Sequence, residues 1–286
     1  MRFGEFEIRT FVEQSFKLDG GSMFGVIPRS IWQKMIPPDE NNLIDMNTNL
    51  FVLTAHGKNF IFDAGLGDTL TDREKKIYGA SGESSVQSGL ASMGLTTDDI
   101  DYVILTHLHT DHAGGAVKIE NGEFAPRFGK AKYVISRREW QDALNPNERT
   151  GAVYVPERYQ ALDDAGRVEL IDEDTELYPG ITAVFTGGHT KGHFGLELES
   201  GNQKVFYYAD LFCTSHHMYV PYIPAVDLYP DESMAFKRNK LPQIIDDGVV
   251  MAFDHDINIP LGRVRVDGKR LVVDSVDGDS IAQGCK

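Results

Sequence analysis

Short apolar runs of strand type alternate along this chain with a few stretches of helical period. "FEIRTFVEQ" (6–14) alternates as a strand does, and "SMFGVIP" (22–28) reads as a second strand. "TNLFVLTAHGKNFIFDAG" (48–65) places two apolar runs around a turn near Gly57–Lys58, which predicts a hairpin. In "ESSVQSGLASMG" (83–94), Val86, Leu90 and Met93 recur at helical spacing, and Gly94 supplies a stop. Strands are expected at 102–106 and 131–136, and a helix at 137–144. Residues 145–167, polar and carrying Pro146, Pro156 and Gly166, read as a lid-like insertion with some helix. "ITAVFTGGH" (181–189) reads as a strand running into a Gly-Gly turn and a histidine, "HFGLELES" (193–200) and "KVFYYAD" (204–210) as paired strands, the second ending in Asp210, and "GVVMAFDH" (248–255) as one more strand ending in a histidine. A capped helix begins near Asp231, and Pro242 kinks or ends it. The tail 262–274 reads as a hairpin turning at Asp267–Gly268.

Four of these runs share one feature. His107, His189, Asp210 and His255 each come just after an apolar run. Strand ends gathered at one rim of a layered α/β fold are where sites are commonly built. The first lies in "THLHTDHAGG" (106–115), where His107, His109, Asp111 and His112 stand within six positions of a chain with nine histidines. Desolvating three imidazoles together needs a compensating partner, and a bound metal is one. In an extended segment positions i and i+2 share a face, so His107 and His109 can grip one ion. Asp111 and His112, past the turn, can face a second. Imidazole and carboxylate without cysteine suit Zn²⁺, Mn²⁺, Fe²⁺ or Co²⁺ rather than a structural thiolate zinc. His189, Asp210 and His255 are the natural suppliers of the remaining ligands.

Composition narrows the function classes. The formal net charge is −15 over 286 residues, which disfavours nucleic acid as a substrate. The one short basic run, "KRNK" at 237–240, reads as the solvent face of a helix. No stretch has the length and apolarity of a membrane span, and "MRFGEFEIRTF" has no secretory h-region. Two cysteines, Cys213 and Cys285, are too few for a disulfide framework and fit a reducing cytoplasm. The chain is read as a single domain over 1–286 with a helical and loop insertion near 137–167.

"FDAGLG" (62–67), "THLHTDHAGG", "GGHTKGH" (187–193), "YAD" (208–210) and "FDH" (253–255), in this order, resemble the metallo-β-lactamase superfamily. Within it the chain is most similar to the N-acyl-homoserine (quorum-quenching) lactonase group. Methyl parathion hydrolase-like enzymes share the layout. The resemblance implies an α/β fold: a four-layer αβ/βα sandwich with two mixed sheets flanked by helices. It implies two divalent ions, Zn²⁺ first among the candidates. His107, His109 and His189 would hold one, Asp111, His112 and His255 the other, with Asp210 bridging. Asp63 would orient a ligand histidine, and His193 would pack or hydrogen-bond nearby. Asp111 and Asp210 are thereby the catalytic carboxylates, and the implied reaction is opening of a lactone by a metal-bridging hydroxide.

One position departs from the pattern. The family lactonases carry a tyrosine three residues after the bridging aspartate; here Cys213 stands there. Thr214, His216, His217 and Tyr219 are the candidates to replace it. The pair His216–His217 reads either as a solvated loop or as a substrate contact. Met23 and Phe24, with Ile27 and Trp32, line a substrate pocket, a dimer contact or the core. The expected partner is a small lactone or ester, with no nucleic acid and no membrane, and a homodimer is the candidate assembly. The rival activities are phosphotriester or aryl ester hydrolysis at the same residues. A non-catalytic metal-binding relative is the rival from another class.

Overall fold

The computed structural model describes residues 1–276; Cys285 lies outside them. Two seven-stranded mixed sheets flanked by helices carry the fold, as expected for the α/β class. In the first sheet the strands Arg2–Phe3, Phe6–Asp19, Leu43–Ala55, Lys58–Phe62, Tyr102–Ile104, Lys132–Ser136 and Val168–Ile171 are neighbours in that order. The second takes Thr175–Tyr178, Ile181–Phe185, Phe194–Ser200, Gln203–Tyr207, Val250–Ala252, Leu261–Asp267 and Arg270–Ser275, again in chain order. A small hairpin joins Val117–Glu120 to Glu123–Pro126.

The described residues form two compact units. One comprises Met1–Glu7, Lys17–Asn47 and residues 173–276; the other comprises Ile8–Phe16 and Thr48–Asp172. The second has a core of Val52, Ile61, Val103, Leu105, Tyr133 and Ile135 with Val86 and Leu90 from the helix Val86–Ser92. The first has a core of Phe206, Tyr208, Phe212, Met251 and Phe253 against Ile244.

Parallel pairing decides where the candidate residues emerge. Phe62 pairs with Ile104, so Asp63 and Thr106–His107 leave the first sheet at the same edge. Tyr207 pairs with Ala252, so Asp210 and His255 leave the second sheet at the same edge. Two of these exits are held in left-handed backbone: Asp63 has φ 53° and Ala209 φ 41°. Such a conformation costs a non-glycine residue about 1 kcal/mol or more and persists only where surroundings impose it.

Several expectations need correction. The hairpin turn is His56–Gly57, both at positive φ, one residue before the expected place. Residues 22–28 are not a strand. Asp19 accepts from the Ser22 amide at 2.8 Å and starts a short helix, Gly20–Phe24, which Gly25 ends at φ 55°. Local capping overrides the apolar pattern, and Phe24 is buried by stacking on Trp32, centroids 5.5 Å apart. Pro242 does not end its helix, which runs Pro230–Asp246. Buried Ser233, Lys237 and Ile244 on both sides of Pro242 anchor it, against a proline cost of about 3 kcal/mol. Nor is the basic run wholly a solvent face. Lys237 is fully buried, donating to the Tyr222 carbonyl at 2.8 Å with its ammonium over the Phe212 ring. Burial pushes its pKa down to about 8.

The "GLG" and "AGG" turns meet so closely that only glycine fits. A Cβ on Gly115 would stand 2.1 Å from the Ala64 carbonyl oxygen, and one on Gly67 2.7 Å from the Gly115 Cα. Gly115→Ala should therefore lower the unfolding free energy by about 1–3 kcal/mol, as overpacking against unyielding backbone does. Urea denaturation checks this; an unchanged midpoint would show that the turns relax freely.

Candidate metal centre

Each unit carries a buried cluster of histidine and aspartate. In the unit holding the first strand end, the His107 ring centroid lies 4.5 Å from that of His109 and 4.0 Å from that of His112. Asp63 organises them. Its carboxylate accepts from the Thr106 amide at 2.8 Å, the Thr106 hydroxyl at 2.9 Å and His112 Nδ1 at 2.9 Å. The Thr106 oxygen in turn meets His107 Nδ1 at 3.1 Å. Asp111 is at the rim of burial, its Oδ2 3.9 Å from His112 Nε2.

The turn between the histidines is held by residues the sequence did not single out. Buried Glu139 accepts from the Leu108 amide at 2.9 Å and from the Tyr154 hydroxyl at 2.7 Å. The Tyr159 hydroxyl donates to the Leu108 carbonyl, and Thr110 to that of Val153. Thus both backbone groups of the residue between His107 and His109 are fixed by the 137–167 segment, whose helices are Arg137–Leu144 and Pro156–Asp164. Only the length and polarity of that segment marked it in the sequence.

The other unit supplies His189, Asp210 and His255. Asp210 Oδ2 lies 3.0 Å from His189 Nε2, and Oδ1 lies 3.1 Å from His255 Nε2. Behind His189, Nδ1 donates to Asp227 at 2.8 Å, and Asp227 also accepts from the Ser233 hydroxyl at 2.5 Å. Behind His255, Nδ1 donates to the Asn47 carbonyl at 2.9 Å. The amide of His255 donates to the Cys213 carbonyl at 3.0 Å. Asp254, beside His255, is also buried and was not foreseen; its donor atom, with those of Asp210 and His255, falls in a group spanning at most 4.8 Å.

The donor chemistry fits divalent metal. His107, His112, His189 and His255 all have Nδ1 tied to an oxygen, which presents the Nε2 lone pair as the ligating atom. Electrostatics agree. Burial opposes charge on His189, yet the Asp210 and Asp227 carboxylates outweigh it and raise its pKa to about 10. The place between those carboxylates calls for positive charge, from a proton or from a metal.

The remaining candidates sort by their packing. His193 is buried, with Nδ1 2.6 Å from the Thr186 hydroxyl and its ring edge-on to His189. Cys213 is fully buried, and burial pushes its thiol well above the usual range, so it stays neutral. His217 does not lie in a solvated loop. It is fully buried, receives the Thr214 hydroxyl on Nδ1 at 2.7 Å, donates from Nε2 to the Met23 carbonyl at 2.9 Å, and stacks on Phe24. Met23 and Phe24 are buried with it as core. The Tyr219 oxygen receives the Leu271 amide at 3.0 Å. Of the candidates to replace the missing tyrosine, half-buried His216 and Tyr219 retain accessible surface; burial lowers the His216 pKa.

Comparison with known proteins follows the same lines. The metallo-beta-lactamase superfamily model matches residues 43–255. The N-acyl homoserine lactonase AiiA of Bacillus thuringiensis subsp. kurstaki is 23% identical over 226 residues, 75% of this chain and 83% of that protein. A probable metal-dependent hydrolase from Staphylococcus aureus superposes with a TM-score of 0.88 at 31% identity, covering 96% of this chain and 99% of that one. AidC, a dizinc quorum-quenching lactonase solved with a product, gives a TM-score of 0.78 at 21% identity over 97% of this chain and 96% of its own, a likeness of fold.

Two outcomes test this geometry. Asp227→Asn should leave the fold intact and lower divalent-metal affinity about 10–100-fold, the usual cost of losing an orienting partner; competition with a chromophoric chelator measures it. His217 titrates at about 3 when folded, chiefly through burial, against 6.5 otherwise. Its contribution to stability is complete above about pH 6.5 and is lost as pH falls toward about 3. Denaturation of chelator-treated protein should show His217→Gln flattening the pH dependence across that window. A parallel curve for the variant would contradict the assignment.

Proposed function

Because the chain belongs to the metallo-beta-lactamase superfamily, we propose that it is a dinuclear metal-dependent hydrolase that opens lactone rings, N-acyl-homoserine lactones foremost. One observation carries the reading. The two oxygens of Asp210 each face the Nε2 of a different histidine, at 3.0 and 3.1 Å, the arrangement of a bridging carboxylate. On this reading His107, His109 and His189 would hold one ion, and His112, Asp111 and His255 the other. The relatives' names support the substrate class: AiiA is an N-acyl homoserine lactonase and AidC a quorum-quenching lactonase.

Divalent ions so held would supply Lewis acidity toward a carbonyl and acidify water near neutral pH. The chain's own groups do the rest. Asp63, Asp227 and the Asn47 carbonyl keep the imidazoles in the Nδ1–H tautomer and in fixed orientation. Asp210, with both oxygens committed between the imidazole nitrogens, would hold the two ions together, and Asp111, at the rim of burial, is the carboxylate left to orient an attacking water, take up its proton and return it to the departing oxygen. The ester oxygen that departs stays tethered as the new hydroxyl of the opened ring.

No residue three positions after Asp210 donates to substrate in this scheme. Cys213 is neutral and fully buried, and a thiol is a weak donor. Cys213→Ala should leave kcat/KM for a good lactone within several-fold of the wild type. A loss of about a hundredfold with metal content intact would assign the thiol a part in the reaction. A steady-state screen of the purified, metal-loaded protein against acyl-homoserine lactones, aryl esters and phosphotriesters tests the substrate class. Lactones should give the highest kcat/KM. Phosphotriesters leading by tenfold or more would overturn the lactonase reading.

A further inference from the structure

We propose that Asp254 is itself a metal ligand, and that it makes the position at His255 carboxylate-rich and more receptive to Mn²⁺ relative to Zn²⁺ than the position at His189. The proposal rests on the dinuclear reading above.

In a regular strand Asp254 and His255 would point to opposite faces. The strand Val250–Ala252 has already ended, however, and the chain bends at Asp254–His255. Asp254 Oδ2 comes 3.5 Å from His255 Nε2, the same atom that stands 3.1 Å from Asp210 Oδ1. Two donors on one ion, each bonded at about 2.0–2.2 Å, are separated by about 3.0–3.5 Å at tetrahedral to octahedral angles. The observed separations are of that size. By contrast, 3.5 Å exceeds the usual N–H···O range of about 2.7–3.2 Å, so Asp254 is poorly placed as a hydrogen-bond acceptor from Nε2. Nor is it needed to orient His255, since the Asn47 carbonyl holds Nδ1.

Burial sharpens the argument. The Asp254 side chain is 4% exposed and lies beside a second carboxylate of 8%. Two carboxylates buried together repel and lose hydration, and a cation held by both relieves each cost. A divalent ion does so. The resulting donor set at His255 contains two carboxylates per imidazole within this unit, whereas Nε2 of His189 faces Asp210 and its other nitrogen turns to Asp227. Carboxylate oxygens favour harder ions such as Mn²⁺, and imidazole favours Zn²⁺. The two positions should therefore differ in metal preference.

Competition binding tests this. Wild-type protein loaded with two Zn²⁺ is equilibrated with graded excess Mn²⁺, and both metals are counted by mass spectrometry after desalting. One Zn²⁺ should exchange at a Mn²⁺:Zn²⁺ ratio at least about tenfold lower than the other. In Asp254→Asn the weaker position should lose Mn²⁺ affinity by tenfold or more, and Asp254→Glu should restore part of it. Electron paramagnetic resonance of bound Mn²⁺ gives a second readout independent of turnover. Both ions of the wild type exchanging at one ratio would overturn the proposal, and this arm does not depend on any variant folding. So would Asp254→Asn with wild-type exchange. A wild type that holds fewer than two ions removes the dinuclear reading itself, and the count distinguishes that failure from the others.

Discussion

A carboxylate buried between two imidazoles is the interaction on which the rest of this structure turns. Asp210 is 6% exposed and sends one oxygen to each of two Nε2 atoms. Left alone, a buried carboxylate pulls protons onto its neighbours, which is why His189 is held so far above its ordinary pKa despite burial. The same field attracts a divalent cation. The layer behind the imidazoles sets their aim: Asp227, Ser233 and the Asn47 carbonyl fix each ring with Nδ1 as donor and Nε2 toward Asp210, the presentation a metal ligand needs.

The fold delivers these groups through strand register. Parallel pairing of Gln203–Tyr207 with Val250–Ala252 brings two strand ends out together, and left-handed Ala209 turns the chain sharply enough to aim Asp210. The other unit repeats the device: Lys58–Phe62 pairs in parallel with Tyr102–Ile104, and left-handed Asp63 is at once the turn and the acceptor for Thr106 and His112. Close approach of the glycine turns then fixes the loop carrying His112, whose carbonyl receives the Ala64 amide at 2.7 Å.

Much of this was legible in the residues because strands and ligands repeat a short local grammar. An apolar run followed within a few positions by histidine or aspartate occurs four times, and each run is a strand in the structure. Helix 137–144 is legible to the residue, since Ser136 is a local cap and its acceptance from the Glu139 amide is encoded nearby. Residues whose roles depend on distant partners were not legible. Asp227, Glu139 and Asp254 stand in sequence as ordinary acidic residues, and only tertiary structure brings Asp227 to a histidine 38 positions away. His217 and Lys237 misled for the converse reason: polar types imply solvent, but internal acceptors satisfied both and permitted full burial.

The central claim is that Asp210 joins two metal ions in one hydrolytic site. Metal stoichiometry of the wild type and of Asp210→Asn, each loaded with Zn²⁺, freed of excess and shown folded by circular dichroism, tests it most directly. The account predicts two ions per chain in the wild type and substantial loss at both positions in the variant, with kcat for lactone opening reduced by orders of magnitude. Two ions retained in Asp210→Asn at near-normal turnover, or a wild type that never exceeds one, would contradict it.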